Sequence, residues 1–329
     1  MRISVICRDT RHASSRVRAL QYVQPLRELG HDVTVVTWQP TRTREVMALT
    51  ARLAASARRT DVVFIVKPRL DPRVFMLLRR LQPRLVVDVD DAVWTWPSPF
   101  PARFDTAAQG AGLITAGSGH LRTLLTERYP RTRVTVVPTS VDMQRYTAAA
   151  NIGHERPPVI GWIGGPASLT DFEAPVLQSL QELMREHATT VKIVCSEPLA
   201  SNLVATEFEP WSAATEVQSL QSFDIGIMPL RDDEQSWGRC GLKLLQYMAV
   251  GIPVVASPIG AAVEIVEDGV SGFLPSTGAE WTSALRELAA SPALRNEMGA
   301  RARARVEERY SLTTTLPGLV SALESAAGS

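Results

Sequence analysis

The chain has 329 residues, 45% of them apolar and 21% charged, with a formal net charge of +1 at pH 7. This composition excludes a disordered, collagenous or disulfide-framework protein, and the length suits two domains. The three cysteines, Cys7, Cys195 and Cys240, form no CxxC or CxxH pattern, so a zinc site of that kind is excluded and a reducing compartment is indicated.

The N-terminal run MRISVICRD is too short for a signal peptide, and no later run reaches membrane-spanning length. A soluble, cytoplasmic protein is expected. Charge is unevenly placed: residues 1–145 carry 23 Lys and Arg against 12 Asp and Glu, and the remainder carries 12 against 22. A basic first half suits an anionic acceptor or peripheral contact with an anionic membrane face, or is plain surface charge. The basic residues are scattered and no nucleic-acid motif accompanies them, so nucleic acid is not an expected partner.

In chain order, the first half offers the β-branched runs RISVIC, DVTVVTW, DVVFIV, RLVVDVD, GLITAGS and RVTVVPT. Amphipathic stretches such as Ser15 to Leu29 and Arg73 to Leu81 lie between them. Buried runs alternating with helices predict a parallel sheet covered on both faces. The pattern lapses after Asp142 into a polar, proline-ended segment, then restarts with PVIGWIGG, VKIVCS, EFEPW, DIGIMPL, IPVVAS and GFLPS. The predicted organisation is α/β, with two doubly wound, Rossmann-like domains facing a cleft. Residues 1–145 form the first, 146–158 a linker and 159–329 the second, the last helix being free to pack back on the first domain.

Ligands in such folds bind beyond the carboxyl ends of the strands, and four stretches project there. In CRDTRHASSRVRAL, Ser14 and Ser15 are helix-cap candidates, while Arg16 and Arg18 on the first turn suit an anion. In VVDVDDAVWTWPSPF, Asp88, Asp90 and Asp91 could hold Mg²⁺ or orient a hydroxyl, with Trp94 and Trp96 stacked on a sugar; the alternative is a capping Asp and packed tryptophans. In GWIGGPASLTDFE, Gly164 and Gly165 let backbone approach a phosphate, and Ser168 precedes a helix.

The fourth stretch, GRCGLKLLQYMAVGIPVVAS, starts a helix near Cys240 or Gly241 with Arg239 and Lys243 four residues apart. Two cations and free N–H groups there suit a departing diphosphate without a metal, and Gln246 could bond vicinal ribose hydroxyls. His120, after the strand of GLITAGS, either faces the cleft or merely starts a helix.

The run RCGLKLLQYMAVGIPVVASPIGAAVEIVEDGVSGFL, with SSRVRALQYVQPLRELGHDV, VVDVDDAVW, GWIGGPAS and PWSAATEVQSLQSFDIGIMPL, resembles the retaining glycosyltransferases of family 4, which have the GT-B fold. The resemblance implies a nucleotide-diphosphate sugar on the second domain, a hydroxyl acceptor on the first, and retention at the anomeric carbon. It places Glu197 near the nucleobase and Cys240 and Gly241 at the donor.

The family's paired glutamates, E-x7-E, would fall on Gly238 and Gln246, and its Arg and Lys after the first glycine-rich strand are absent from GGPASLTDFEAP. The expected assignment is therefore Arg239, Lys243 and Asp91 as catalytic residues. Gly164, Gly165, Ser168, Glu197, Cys240, Gly241 and Gln246 are expected at the donor, and Ser15, Arg16, Asp90, Trp94 and His120 at the acceptor. No cofactor and no metal is expected. A nucleotide-sugar epimerase or phosphorylase of the same fold, a metal-dependent transferase built on DVDD, and a non-catalytic two-domain solute-binding protein are the competing readings.

Overall fold

The computed structural model describes residues 1–10, 12–39, 43–149, 156–172, 174–197 and 207–328. Of the expected linker at 146–158, residues 150–155 lie outside the described residues. The chain divides into two compact units. The first comprises Met1–Ser140, Trp237–Cys240 and Leu312–Ser329; the second comprises Val141–Ser236 and Gly241–Ser311.

The first unit is built on β1 (Arg2–Cys7), β2 (Asp32–Thr37), β3 (Val62–Val66), β4 (Leu85–Val89), β5 (Leu113–Ala116) and β6 (Val134–Val136). All pair in parallel, in the order β2-β1-β3-β4-β5-β6. β3 and β4 are buried along their whole length, as strands covered on both faces must be. The helix Leu312–Ala327 closes one face: Leu319 and Leu323 join the cluster of Ile3, Val5, Tyr22 and Phe64. The Tyr22 hydroxyl is within hydrogen-bond distance of Thr315 Oγ1, at 2.9 Å, and of Ser140 Oγ, at 2.7 Å.

The amphipathic stretch predicted from Ser15 to Leu29 is helical but not uniform. A π-helical turn at Arg16–Leu20 precedes the α-helix Gln21–Glu28. Neither Ser14 nor Ser15 caps it; His12 occupies the start of the preceding turn. The wide turn carries Arg18 inward, where its guanidinium grips Asp88 at 2.6 and 3.0 Å with both side chains 1% exposed.

The second unit repeats the plan with β7 (Val159–Gly164), β8 (Thr190–Cys195), β9 (Glu207–Pro210), β10 (Ile225–Met228), β11 (Val254–Ala256) and β12 (Gly272–Phe273). The order is β12-β11-β10-β7-β8-β9, again all parallel. Helices Ala174–Glu186 and Gly278–Ala290 pack together on one face, joined by Thr282 to Ser179 and by Arg286 to Glu186. The α/β architecture expected from the alternating runs is thus present twice. In each sheet the strand order reverses once, between β1 and β3 and between β7 and β10, and a doubly wound sheet opens its binding crevice at that point.

Candidate active site

In the first unit the reversal point is occupied by charge. β3 runs into Lys67, which has φ +48°, the one non-glycine residue with positive φ among the described residues. Such a backbone is tolerated where surrounding contacts over-determine it. The Lys67 N–H donates to Asp88 O at 2.8 Å, and its buried ammonium lies 3.0 Å from Asp90 Oδ1, bonds Asp91, and reaches Ser14 Oγ at 3.3 Å. The Trp96 ring lies 4.7 Å beneath it. Burial opposes the lysine charge, but Asp90 and Asp91 overcome it and hold the ammonium above its ordinary range. Burial likewise opposes Asp90, which Lys67 and the Ser14 hydroxyl nevertheless keep low; Asp91 is pushed up by burial and by Asp90.

The end of β4 at Val89 therefore splits the three aspartates that the sequence grouped, Asp88 lying within the strand and Asp90 and Asp91 in the turn beyond it. Asp88 belongs to a buried pair with Arg18, with Thr115 also donating to it at 2.6 Å, and is closed to any ligand. The cation facing Asp90 and Asp91 is the Lys67 ammonium. Among the described residues no three metal-ligating side chains are grouped. Arg18, read as an anion contact, is instead structural.

The other residues expected at the acceptor are dispersed within this unit. Ser15 is buried and accepts the Asp9 N–H at 3.5 Å. Arg16 is half-buried in the π turn. Trp94 packs in the apolar core against Phe104, with ring centroids 5.9 Å apart, and is withdrawn from any sugar. His120 stands one residue inside a helix capped by Ser118, its ring 5.4 Å from that of Trp237. Cys240, expected at the donor, is buried in this unit's core with Sγ 3.8 Å from Ser118 Oγ, and burial raises its thiol far above the usual range. Arg239 belongs to the same segment, and its charge bears on Asp91.

In the second unit the reversal point lies beside Gly164, the last residue of β7. Helix Leu242–Ala249 begins after Gly241, whose φ of +66° turns the chain into it. Arg239 is thus not on this helix, and the four-residue spacing that seemed to pair it with Lys243 is not a helical one. Lys243 Nζ stands 4.1 Å over the Trp162 ring. A Cβ at Gly164 would come within 2.6 Å of that nitrogen and 2.7 Å of the Trp162 ring, so glycine is what leaves the lysine room there. Gly165 is exposed at the start of a 3-10 turn, Pro166–Asp171, and Ser168 lies inside that turn rather than before an α-helix. Glu197 is exposed just beyond β8.

Gln246 is 5% exposed and its amide donates to Tyr146 Oη at 2.8 Å. Tyr146 donates in turn to Glu216 at 2.7 Å, which also accepts from Arg145 at 3.1 Å and Trp211 Nε1 at 3.2 Å. The amide expected to meet a ribose is engaged in this buried network.

Residues 157–291 match the sequence profile of Glycosyl transferases group 1. No curated protein matches the chain. Among solved structures, Anabaena HepE in complex with UDP and glucose shares 17% identity, covers 99% of this chain and 100% of its own, and has a TM-score of 0.71. Sucrose-phosphate synthase from Thermosynechococcus elongatus shares 13% with full coverage of both chains and a TM-score of 0.75. A glycosyltransferase from Rickettsia africae shares 15%, covers 99% and 98%, and scores 0.74. The enzyme class follows: this is a glycosyltransferase. Its fold is GT-B.

Two residues of this glycosyltransferase escaped the sequence reading. Lys67 stood alone in VVFIVKPRL, with no motif to mark it; only its position after a strand on the reversal side was a signal. Glu216 lay within a helical run, and its partners come from positions 145, 146, 211 and 246, which sequence spacing does not connect.

Proposed function

We propose that the enzyme moves a sugar from a nucleoside-diphosphate sugar to a hydroxyl acceptor, with retention. The observation that carries the donor side is Lys243 standing over Trp162 beside Gly164 at the β7 strand end. A cation, a glycine that admits close backbone approach, and the start of helix Leu242–Ala249 together suit a diphosphate. Gly165 and Ser168 border the same strand end, and Glu197 follows the next strand, where the nucleobase is assigned. UDP is the first nucleotide to test, because the HepE complexes contain UDP and UDP-glucose.

In the proposed step the bond from the anomeric carbon to the diphosphate oxygen breaks. The acceptor oxygen bonds that carbon on the same face and yields its proton to the departing phosphate. Lys243 is the cation assigned to the growing negative charge. Asp91, whose proton affinity is raised, and Asp90 are assigned to orienting the acceptor hydroxyl, with Lys67 holding both carboxylates in place. No metal is assigned a role, since the Asp pair already faces an ammonium. Three buried free thiols fit a reducing cytosol.

The test is a thermal-shift titration with UDP and UDP-glucose, paired with transfer assays on Lys243→Ala. Binding to the native state should raise the melting temperature. The variant should melt as the wild type does without ligand, respond less to UDP, and lose about 2–4 kcal/mol of transition-state stabilisation. An undiminished UDP response together with undiminished transfer would remove Lys243 from the donor site.

A further inference from the structure

Beside the Lys67 cluster, the first unit contains a second feature that the transfer scheme does not use. A cavity of about 620 Å³ opens among Arg8, Arg69, Arg73 and Arg103, with Trp38 and Phe100 in its wall. The topology explains the gathering. Arg8 and Trp38 follow β1 and β2 at their carboxyl ends, Arg69 follows β3, Arg73 sits in the first turn of helix Pro72–Leu81, and Arg103 in that of helix Phe100–Gly110.

Four guanidinium groups around one cavity repel one another, and at Arg69 the charges of Asp90 and Asp9 offset that repulsion only in part. Arg8 has Asp9 at 3.4 Å, whereas among the described residues Arg69, Arg73 and Arg103 have no carboxylate within ion-pair distance. The carboxylate in the lining, Asp71, caps the Arg73 N–H at 2.9 Å. Arg69 stacks instead on Phe100, at 4.8 Å, and Trp96, at 5.5 Å, and Arg103 donates to its carbonyl at 3.2 Å. Burial, then Arg8 and Arg103, keep Arg69 below its ordinary range. The same field acts on His12: burial, then Lys67, Arg69 and Arg8, bring its pKa from 6.5 to about 4.

We propose that this pocket seats a phosphate group carried by the acceptor, with the attached organic part against Trp38 and Phe100. Arginine forks match tetrahedral phosphate oxygens, and a dianion offsets what a single carboxylate would leave unbalanced. The aromatic wall suits a carbon skeleton rather than a free ion. The proposal deepens the reading of the first unit as the acceptor side and rests on it. The phosphate belongs either to a soluble ester or to a lipid headgroup.

The test uses the full chain with glycerol phosphate as the soluble probe, and phosphatidylcholine vesicles containing phosphatidic acid as the membrane probe. Arg69→Gln and the exposed Arg73→Gln should each weaken glycerol phosphate binding about tenfold or more. Arg73→Gln should keep the wild-type melting temperature, which separates loss of binding from loss of fold. Phosphate should also raise the His12 pKa, read from its ring proton resonances, because the anion offsets Arg8 and Arg69. Binding to glycerol phosphate but not to vesicles supports a soluble acceptor; vesicle binding lost in Arg73→Gln supports a lipid-linked one. Phosphate affinity unchanged in both variants, or a His12 resonance that ignores phosphate, overturns the proposal. Lys243→Ala keeps the two readings apart: a lost UDP response with an intact phosphate response isolates the donor site and leaves the pocket standing.

Discussion

At the residue scale, the first unit shows how burial sorts charges by role. Arg18 and Asp88 neutralise each other with both forks engaged, and removing either would strand a buried charge. Lys67 and its two aspartates lie nearer the surface, with Asp91 26% exposed at its side chain, so its carboxylate still meets solvent. His12 is the group that turns this field into a pH dependence. Its pKa is 6.5 when unfolded and about 4 in the native protein, with burial and then Lys67, Arg69 and Arg8 as causes. Between those values the unfolded chain binds the proton first. Its stabilising contribution is therefore present above about pH 6.5 and lost as the pH falls towards 4. Urea denaturation across that window should show a shallower pH slope in His12→Gln than in the wild type. Equal slopes would place the proton uptake elsewhere.

At the element scale, close packing governs what the helices tolerate. Helix Pro292–Arg309 lies so close to the turn at Gly251 that a Cβ on Gly299 would overlap the Gly251 carbonyl. That neighbour is backbone and cannot rotate aside. Gly299→Ala is expected to destabilise by about 1–3 kcal/mol despite alanine's better helix propensity. Gly318, in helix Leu312–Ala327, has nothing within 4 Å of such a Cβ, so Gly318→Ala should be neutral or gain up to about 1 kcal/mol. Chemical denaturation of the two variants side by side checks the contrast. The helix at Leu242–Ala249 shows the same dependence in the site, where Gly241 sets its start and Gly164 clears space for Lys243.

At the scale of the whole molecule, the first unit draws on sequence far from its own main segment. The final helix supplies Leu319 and Leu323 to the first unit's core, and Thr315 to the Tyr22 hydroxyl. Burying each leucine contributes about 1.5–3 kcal/mol. A chain ending at Ser311 should therefore lose cooperative unfolding of the first unit, seen as weakened near-ultraviolet dichroism and added dye binding. A wild-type melting profile in that chain would show the helix to be dispensable.

The alternating apolar runs were enough to specify two parallel sheets, because a strand buried on both faces and a helix buried on one leave different periods in the sequence. The bounds of those runs also located the strand ends, and GLKLLQYM marked the helix that carries Lys243 because a helix start is a local event. What the sequence left undecided depended on side-chain direction and on contacts across long separations. Consecutive letters in DVDD gave no sign that Asp88 turns inward to Arg18 while Asp90 and Asp91 turn to Lys67. RCGLK read as one helical turn until Gly241, in a left-handed conformation, assigned Arg239 and Lys243 to different units. Four arginines spread from position 8 to position 103 share a cavity only because parallel strands deliver their carboxyl ends to one edge. Periodicity is written locally, whereas electrostatic partnership is set by the three-dimensional distances that folding alone creates.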